Sequence, residues 1–191
     1  MASVTTYNVQ MPLSIRAATA GDVSQILAFI KALAVYEREP DAVKTTEEDL
    51  LRDGFGQRQY FECLMAELDG RAAGFALFFF TYGTWAGRPG LFLEDLFVEP
   101  ELRGQGIGKA LLKRLAEIAL ERGCSKMKWE VLDWNQPAID FYNSLGGEFL
   151  DDWRIVRLGR DAMSRLAKGE ALVPGGTERP FASTENGEAV E

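Results

Sequence analysis

The chain has 191 residues, enough for one domain with a sizeable core, and 47% of them are hydrophobic. With 29 acidic residues against 21 Lys and Arg the formal charge is −8, which argues against general nucleic-acid binding and suits cationic partners such as amines. Histidine is absent and the two cysteines, Cys63 and Cys124, stand far apart, so Ser-His-Asp and Cys-His catalysis, the usual zinc sets and a disulfide framework are all excluded.

Residues 1–12 are polar and mixed, without the basic and apolar regions of a signal peptide, and read as a loose lead-in. Leu13 to Arg16 reads as a first strand. Thr19 to Asp22 carries capping chemistry for a helix from Val23 to Tyr36, with an apolar face of Val23, Ile26, Leu27, Ile30, Leu33 and Ala34. Thr45-Thr46-Glu47-Glu48 caps a second helix running to about Asp53 and closed by Gly54. Phe61–Leu68 and Arg71–Tyr82 are strands joined by Asp69-Gly70, a strong hairpin signal. The longest apolar run, Phe75 to Phe80, is strand-sized and far short of a membrane span. Reduced cysteines and no targeting segment make a cytoplasmic protein, with no membrane partner, the expectation.

A loop from Gly83 to Gly90 holds Trp85, and Leu91 to Val98 is a further strand ended at Pro100. Arg103-Gly104-Gln105-Gly106-Ile107-Gly108-Lys109 then opens a helix with Ile107, Leu111, Leu115 and Ile118 on its apolar face, stopped at Gly123. A strand that passes through a glycine-rich turn into a helix leaves backbone N–H groups unpaired at the positive end of the helix dipole, which makes an anion site suited to phosphate. Lys126–Leu132 is expected to be the next strand. Asn135 caps a short helix from Ala138 to Leu145, with Pro137 in its first turn. Phe149–Leu158 reads as one or two last strands and Asp161–Lys168 as a final helical turn. From Gly169 the composition shifts to Gly, Pro, Ser, Thr and Glu, an acidic tail expected to be disordered. The order implies a single domain over residues 13–168, built as a mixed sheet flanked by helices.

The nucleotide P-loop pattern fails because Ala110 follows Lys109 and no glycine stands at the upstream position. The dinucleotide pattern fits Gly104 and Gly106 but meets Lys109 at its third glycine; Glu130, at a suitable distance for a ribose acid, keeps that alternative open. The pattern that fits is Arg103-x-x-Gly106-x-Gly108 after a strand. Together with Asn135-Gln136-Pro137-Ala138 and Phe141-Tyr142-Asn143, it resembles the GNAT family of N-acetyltransferases. Val35-Tyr36-Glu37, Asp53-Gly54-Phe55-Gly56, Phe80-Thr81-Tyr82, Leu93-Glu94-Asp95, Trp134-Asn135 and Trp153-Arg154 narrow this to the branch of small diamine and thialysine acetyltransferases, over about Leu13 to Lys168.

The resemblance implies an α/β fold with a mostly antiparallel central sheet and a splayed strand pair that takes acetyl-CoA, with no metal. It places Leu96, Phe97 and Val98 along the pantetheine arm and an oxyanion-binding N–H at a splayed or bulged strand near Phe97 or Val98. Arg103, Gly104, Gln105, Gly106, Ile107, Gly108 and Lys109 fall at the diphosphate, and Asn135, Gln136, Pro137 and Ala138 on the far side of the cofactor. Glu94 is implied as the acid that drains the amine's proton, through water or with a raised pKa, and Tyr142 as the acid that protonates the leaving thiolate and lies beside the cofactor. Tyr36, Glu37, Trp85, Asp95, Lys128, Trp129, Glu130 and Asp152 are implied around the amine. Glu94 and Asp95 also fit a plain surface strand end, and Tyr142 a packing residue. Gly83 stands where polyamine-active relatives carry an acid, which favours a thialysine-, lysine- or ornithine-like amine over spermidine, spermine or putrescine. A homodimer with direct transfer in a ternary complex is implied too; a non-catalytic coenzyme A-binding regulator is the alternative from another class.

Overall fold

The computed structural model describes residues 13–171; the lead-in of residues 1–12 and the tail from residue 172 onward lie outside them. Contacts divide the chain into two units, Met1–Glu130 and Val131–Glu191. The first holds a five-stranded sheet in the order β1-β2-β3-β4-β5, formed by β1 (Leu13–Ala17), β2 (Glu62–Leu68), β3 (Arg71–Gly83), β4 (Arg88–Val98) and β5 (Met127–Lys128). The first three pairings are antiparallel and only β5 runs parallel to its neighbour. The expected mixed, mostly antiparallel sheet flanked by helices is therefore the architecture found.

Helix α1 (Val23–Tyr36) has the expected bounds. Its entry is set by a charged cap. Thr19 and Asp22 form a capping box around the 3-10 turn Ala20–Asp22, and the Asp22 carboxylate also accepts two bonds from the Arg16 guanidinium at 2.7 and 2.8 Å. Arg16 donates further to Glu67 on β2 at 2.7 Å, so one guanidinium ties β1, β2 and the start of α1 together. The centre of the α1 face is Phe29, absent from the expected apolar stripe. It is 1% exposed, stacked on Phe75 at 5.7 Å and tilted against Phe97 at 5.5 Å. Val23, Ile26, Leu27, Leu50, Cys63, Met65 and Leu77 belong to the same core. Helix α3 (Ile107–Glu121), which contacts β3 and β4, buries all four expected face residues, Ile107, Leu111, Leu115 and Ile118.

Three boundaries differ from the sequence reading. Helix α2 (Glu47–Phe55) is capped by Thr46 as expected but continues through Gly54, which is buried because the Phe61 ring fills the space a side chain would need. The Gly83–Gly90 loop shrinks to residues 84–87, since β3 and β4 pair up to Gly83 and Arg88. The Lys126–Leu132 strand is cut to two residues, Met127 and Lys128, which pair with Leu91 and Phe92 only. Asp69 and Gly70, at φ 54° and 71°, make the expected tight turn between β2 and β3.

The second unit contains α4 (Gln136–Ser144) and α5 (Arg160–Lys168). Phe149–Leu158 contains no strand. A β-rich sequence forms a strand only with a ladder partner, and this segment has none among the described residues. Its side chains stay in solvent, Trp153 at 73% and Val156 at 88% exposure.

The bonds from Arg16 and Thr19 hold the Asp22 carboxyl well below the usual carboxylate range, with the guanidinium as the largest cause. A depressed pKa stabilises the fold above the ordinary carboxylate value and stops doing so as pH falls toward the depressed one. Asp22→Ala is expected to cost about 1–3 kcal/mol at pH 7. Thermal melts should show the gap from wild type narrowing as the pH is lowered below about 4.

Candidate active site

The site in the first unit is built on one irregularity of β4. Leu77 pairs with Asp95 but the next residue, Phe78, pairs with Leu93, so Glu94 is an extra residue bulged out of the ladder. Side chains alternate along a strand, and an inserted residue shifts that alternation. Phe92, stacked on Phe79 at 5.2 Å, and then Asp95 and Phe97 come to share the face that packs on α1. Without the bulge, Glu94 and Leu96 would have taken those places. The resemblance implied a splayed or bulged strand near Phe97 or Val98; the bulge in the register is at Glu94, and Phe97 and Val98 pair regularly with Phe75 and Gly74 on the β3 side. On the other side of β4, pairing with β5 ends at Phe92, so β4 from Leu93 to Val98 has one edge without a strand among the described residues.

Four carboxylates influence one another here. Burial raises the Asp95 pKa to about 7, with further contributions from Glu94 and then Glu37. Glu94 is raised by burial first and by Glu130 second, and Glu37 by burial. Among the described residues none of the four side chains has a hydrogen bond or an ion pair. Like charges gathered without a counter-ion are an electrostatic cost that a bound cation removes. Asp95, which on sequence alone also fits a plain surface strand end, is the most perturbed of them.

Glu37 is held by the end of α1. It is the C-cap residue, and the chain beyond closes in a Schellman motif, with Arg38 N–H donating to Val35 at 3.1 Å and Glu39 N–H to Ala34 at 2.8 Å. Arg38 takes the left-handed conformation this closure needs, at φ 66°.

The turn before α3 has the expected anion geometry. Gly104 and Gly106 have φ of 78° and 83°, a region glycine enters without strain, and a side chain at either would meet open space. Gly106 is the N-cap and no side chain bonds the N–H groups of the first turn, which run through Ile107, Gly108 and Lys109. Lys109 adds an exposed cation beside them. These residues fit a diphosphate. The Arg103 side chain is committed elsewhere: its Nε–H donates to the Val98 carbonyl at 3.1 Å and its guanidinium lies over the Tyr36 ring at 4.7 Å.

Of the other expected residues in this unit, Lys128 is the exposed end of β5, with Trp129 and Glu130 following it. Trp85 sits at the tip of the β3–β4 hairpin, 96% exposed. Gly83 lies six positions beyond Leu77, the residue opposite Asp95, so the tip is roughly 20 Å along the ribbon from the carboxylates. That strand geometry keeps Trp85 out of the cluster on its own chain.

In the second unit, Asn135 caps α4 through a bond from Ala138 N–H at 3.4 Å and is buried, with Gln136, Pro137 and Ala138 forming the first turn. Tyr142 lies two turns on, on the same face, and is also buried. Asp152 is exposed, in the stretch that forms no strand.

A family model described as the acetyltransferase (GNAT) family matches residues 27–146. A thialysine N-epsilon-acetyltransferase of Sus scrofa is 44% identical over 164 residues, covering 80% of this chain and 96% of that one. Among solved structures, an integron cassette protein of V. cholerae superposes with a TM-score of 0.69 at 25% identity, covering 83% of this chain and 99% of the other. An aminoglycoside N-acetyltransferase in complex with CoA superposes at 0.64 with 22% identity, covering 81% and 98%, a likeness of fold.

With no histidine in the chain, few groups besides Asp95 titrate between pH 5 and 8. A carboxyl whose folded pKa is raised binds more protons in the folded state between its unfolded value and about 7, so it makes the fold less stable as pH rises through that window. Melting temperature should therefore climb on acidification from pH 8 to 5. Asp95→Asn should remove most of that slope and melt higher than wild type at pH 8.

Proposed function

Because the chain belongs to the acetyltransferase (GNAT) family and is an N-acetyltransferase that uses acetyl-CoA on an amine, we propose that its substrate is the side-chain amine of a thialysine-, lysine- or ornithine-like amino acid. The observation that carries this reading is the unpaired carboxylate set of Glu37, Glu94, Asp95 and Glu130 beside the bulge of β4. The 44% identity to a thialysine N-epsilon-acetyltransferase supports the choice of amine over spermidine or putrescine.

The chemistry sets two demands. An alkyl ammonium has a pKa near 10.4, so presenting it neutral at pH 7 costs about 4.6 kcal/mol, and its proton must go somewhere. An ordinary carboxylate lies about 6.5 pKa units below that amine. Raising Asp95 to about 7 closes nearly half the gap and makes it a better acceptor, directly or through water, than an unperturbed acid. Glu94, one residue away on the bulge, shares the cation and the proton path.

Acetyl-CoA supplies the thioester, its diphosphate resting on the N–H groups from Gly104 to Lys109 and its arm along the open edge of Leu96 to Val98. The family resemblance assigns Asn135 to Ala138 a part in cofactor binding as well. The amine nitrogen bonds to the carbonyl carbon in a ternary complex, and N–H groups on that open edge of β4 stabilise the oxyanion. The carbon–sulfur bond then breaks and the departing thiolate takes a proton from Tyr142, the role the resemblance gives it; the proton shed by the new amide nitrogen restores the phenol. No metal enters this scheme.

We also infer a homodimer, supported by the large apolar side chains left in solvent at Trp153, Ile155 and Val156. Sedimentation at micromolar concentration should give twice the chain mass, and Val156→Asp should shift it toward the monomer.

Thiol release from acetyl-CoA across thialysine, lysine, ornithine, putrescine and spermidine tests the substrate assignment. The highest kcat/KM is expected with thialysine, and silence on all five would defeat it. Tyr142→Phe and Asp95→Asn are each expected to lower kcat by about 100-fold or more. Unchanged turnover in Tyr142→Phe would assign proton delivery to another group.

A further inference from the structure

Arg103 is the first residue of the glycine-rich turn, yet its side chain points away from it. The Nε–H donates to the Val98 carbonyl at 3.1 Å, and the guanidinium carbon sits 4.7 Å from the centre of the Tyr36 ring and 5.9 Å from that of Phe97. One cation is thus shared between the last turn of α1 and the last residues of β4. Tyr36 directly precedes Glu37, and Phe97 stands two residues from Asp95 on the same face of β4. Lower down, the same two elements meet through Phe29 and Phe97. Past that contact stand Glu37 and Asp95, like charges that repel each other.

We propose that Arg103 is a positioning residue for the amine pocket: it straps the end of α1 to the exit of β4 and so holds Glu37 at the distance from Asp95 at which the two share one ammonium. The inference rests on the functional reading above. The repulsion between two unpaired carboxylates would drive the α1 end outward, and an arginine over an aromatic ring is attracted by the ring's negative face with enough strength to oppose it. The guanidinium suits this task because its plane can lie on a ring while its edge donates to a carbonyl; a lysine can do only one of these at a time. The placement also links the two ligand sites, since the strap begins at the residue that opens the diphosphate turn. A phosphate that drew Arg103 off Tyr36 would free Glu37, whereas one held by the backbone N–H groups alone would leave the strap closed.

The experiment combines steady-state kinetics with a double-mutant cycle on Arg103→Ala, Tyr36→Ala and the pair. In the ligand-free protein, melting temperatures should be non-additive, the pair losing less than the sum of the singles. In kinetics with thialysine and acetyl-CoA, each single variant should raise the amine KM about five- to tenfold with acetyl-CoA KM changed less than twofold, and the double variant should be no worse than either single. The coupling should survive when Phe replaces Tyr36, because the ring face is kept, and weaken in Arg103→Lys. Additive melts, or an Arg103→Ala variant that loses acetyl-CoA affinity while keeping amine affinity, would overturn the strap in favour of a phosphate contact. A wild-type enzyme silent on every amine would instead overturn the functional reading, whatever the melts show.

Discussion

The bulge at Glu94 is the constraint on which the site depends. One unpaired residue in β4 rotates everything after it, so that Asp95 and Phe97 turn toward α1 where a regular strand would present Glu94 and Leu96. Phe97 then completes the aromatic core with Phe29 and Phe75, and this packing keeps the bulge in place. Asp95 is carried by the same rotation into a half-buried position near Glu37, where its charge is expensive. The apolar contact of Phe97 and the electrostatic cost of Asp95 come from the same backbone irregularity. A fold that kept the first has to tolerate the second.

That cost is useful because the chain contains no histidine. An enzyme that must accept protons near neutrality needs a group that titrates there, and the available carboxylates ordinarily titrate about three units lower. Burial and like charges move Asp95 to about 7 without any special chemistry of its own. The same arrangement selects a cation, since an ammonium relieves the repulsion among Glu37, Glu94, Asp95 and Glu130. In the proposed mechanism binding and proton transfer draw on one electrostatic imbalance, next to an α1 end closed by its own backbone bonds and covered by Arg103.

The anion site has a different origin. Its donors are backbone groups that any helix N-terminus leaves over, and they are exposed here because Gly104 and Gly106 take left-handed conformations that lift the chain clear of the turn. It lies at the exit of β4, one short 3-10 turn beyond Val98. In the proposed reading, cofactor and amine meet the two ends of a single stretch, Leu93 to Lys109, with the open edge of β4 between them.

Much of this was written in the local sequence. Thr46 before Glu47, Asp69-Gly70 between two strands, Gly106 ahead of the Ile107–Leu111–Leu115–Ile118 stripe, and Asn135 before Pro137 each use chemistry that acts within four residues, so each could be read without the fold. The placement of the acids could not. β4 is buried on both faces, and a strand of that kind has no polar–apolar alternation in which a shift of one residue would show. The raised pKa of Asp95 depends partly on Glu37, 58 positions away, and the commitment of Arg103 depends on Tyr36, 67 positions away. Nor could sequence tell that Phe149–Leu158, with every mark of a strand, would lack a partner among the described residues, because a ladder is a property of two segments. Local chemistry determined the helices, turns and anion site; tertiary structure decided which carboxylates face one another, because bulge, burial and repulsion arise only when distant residues meet.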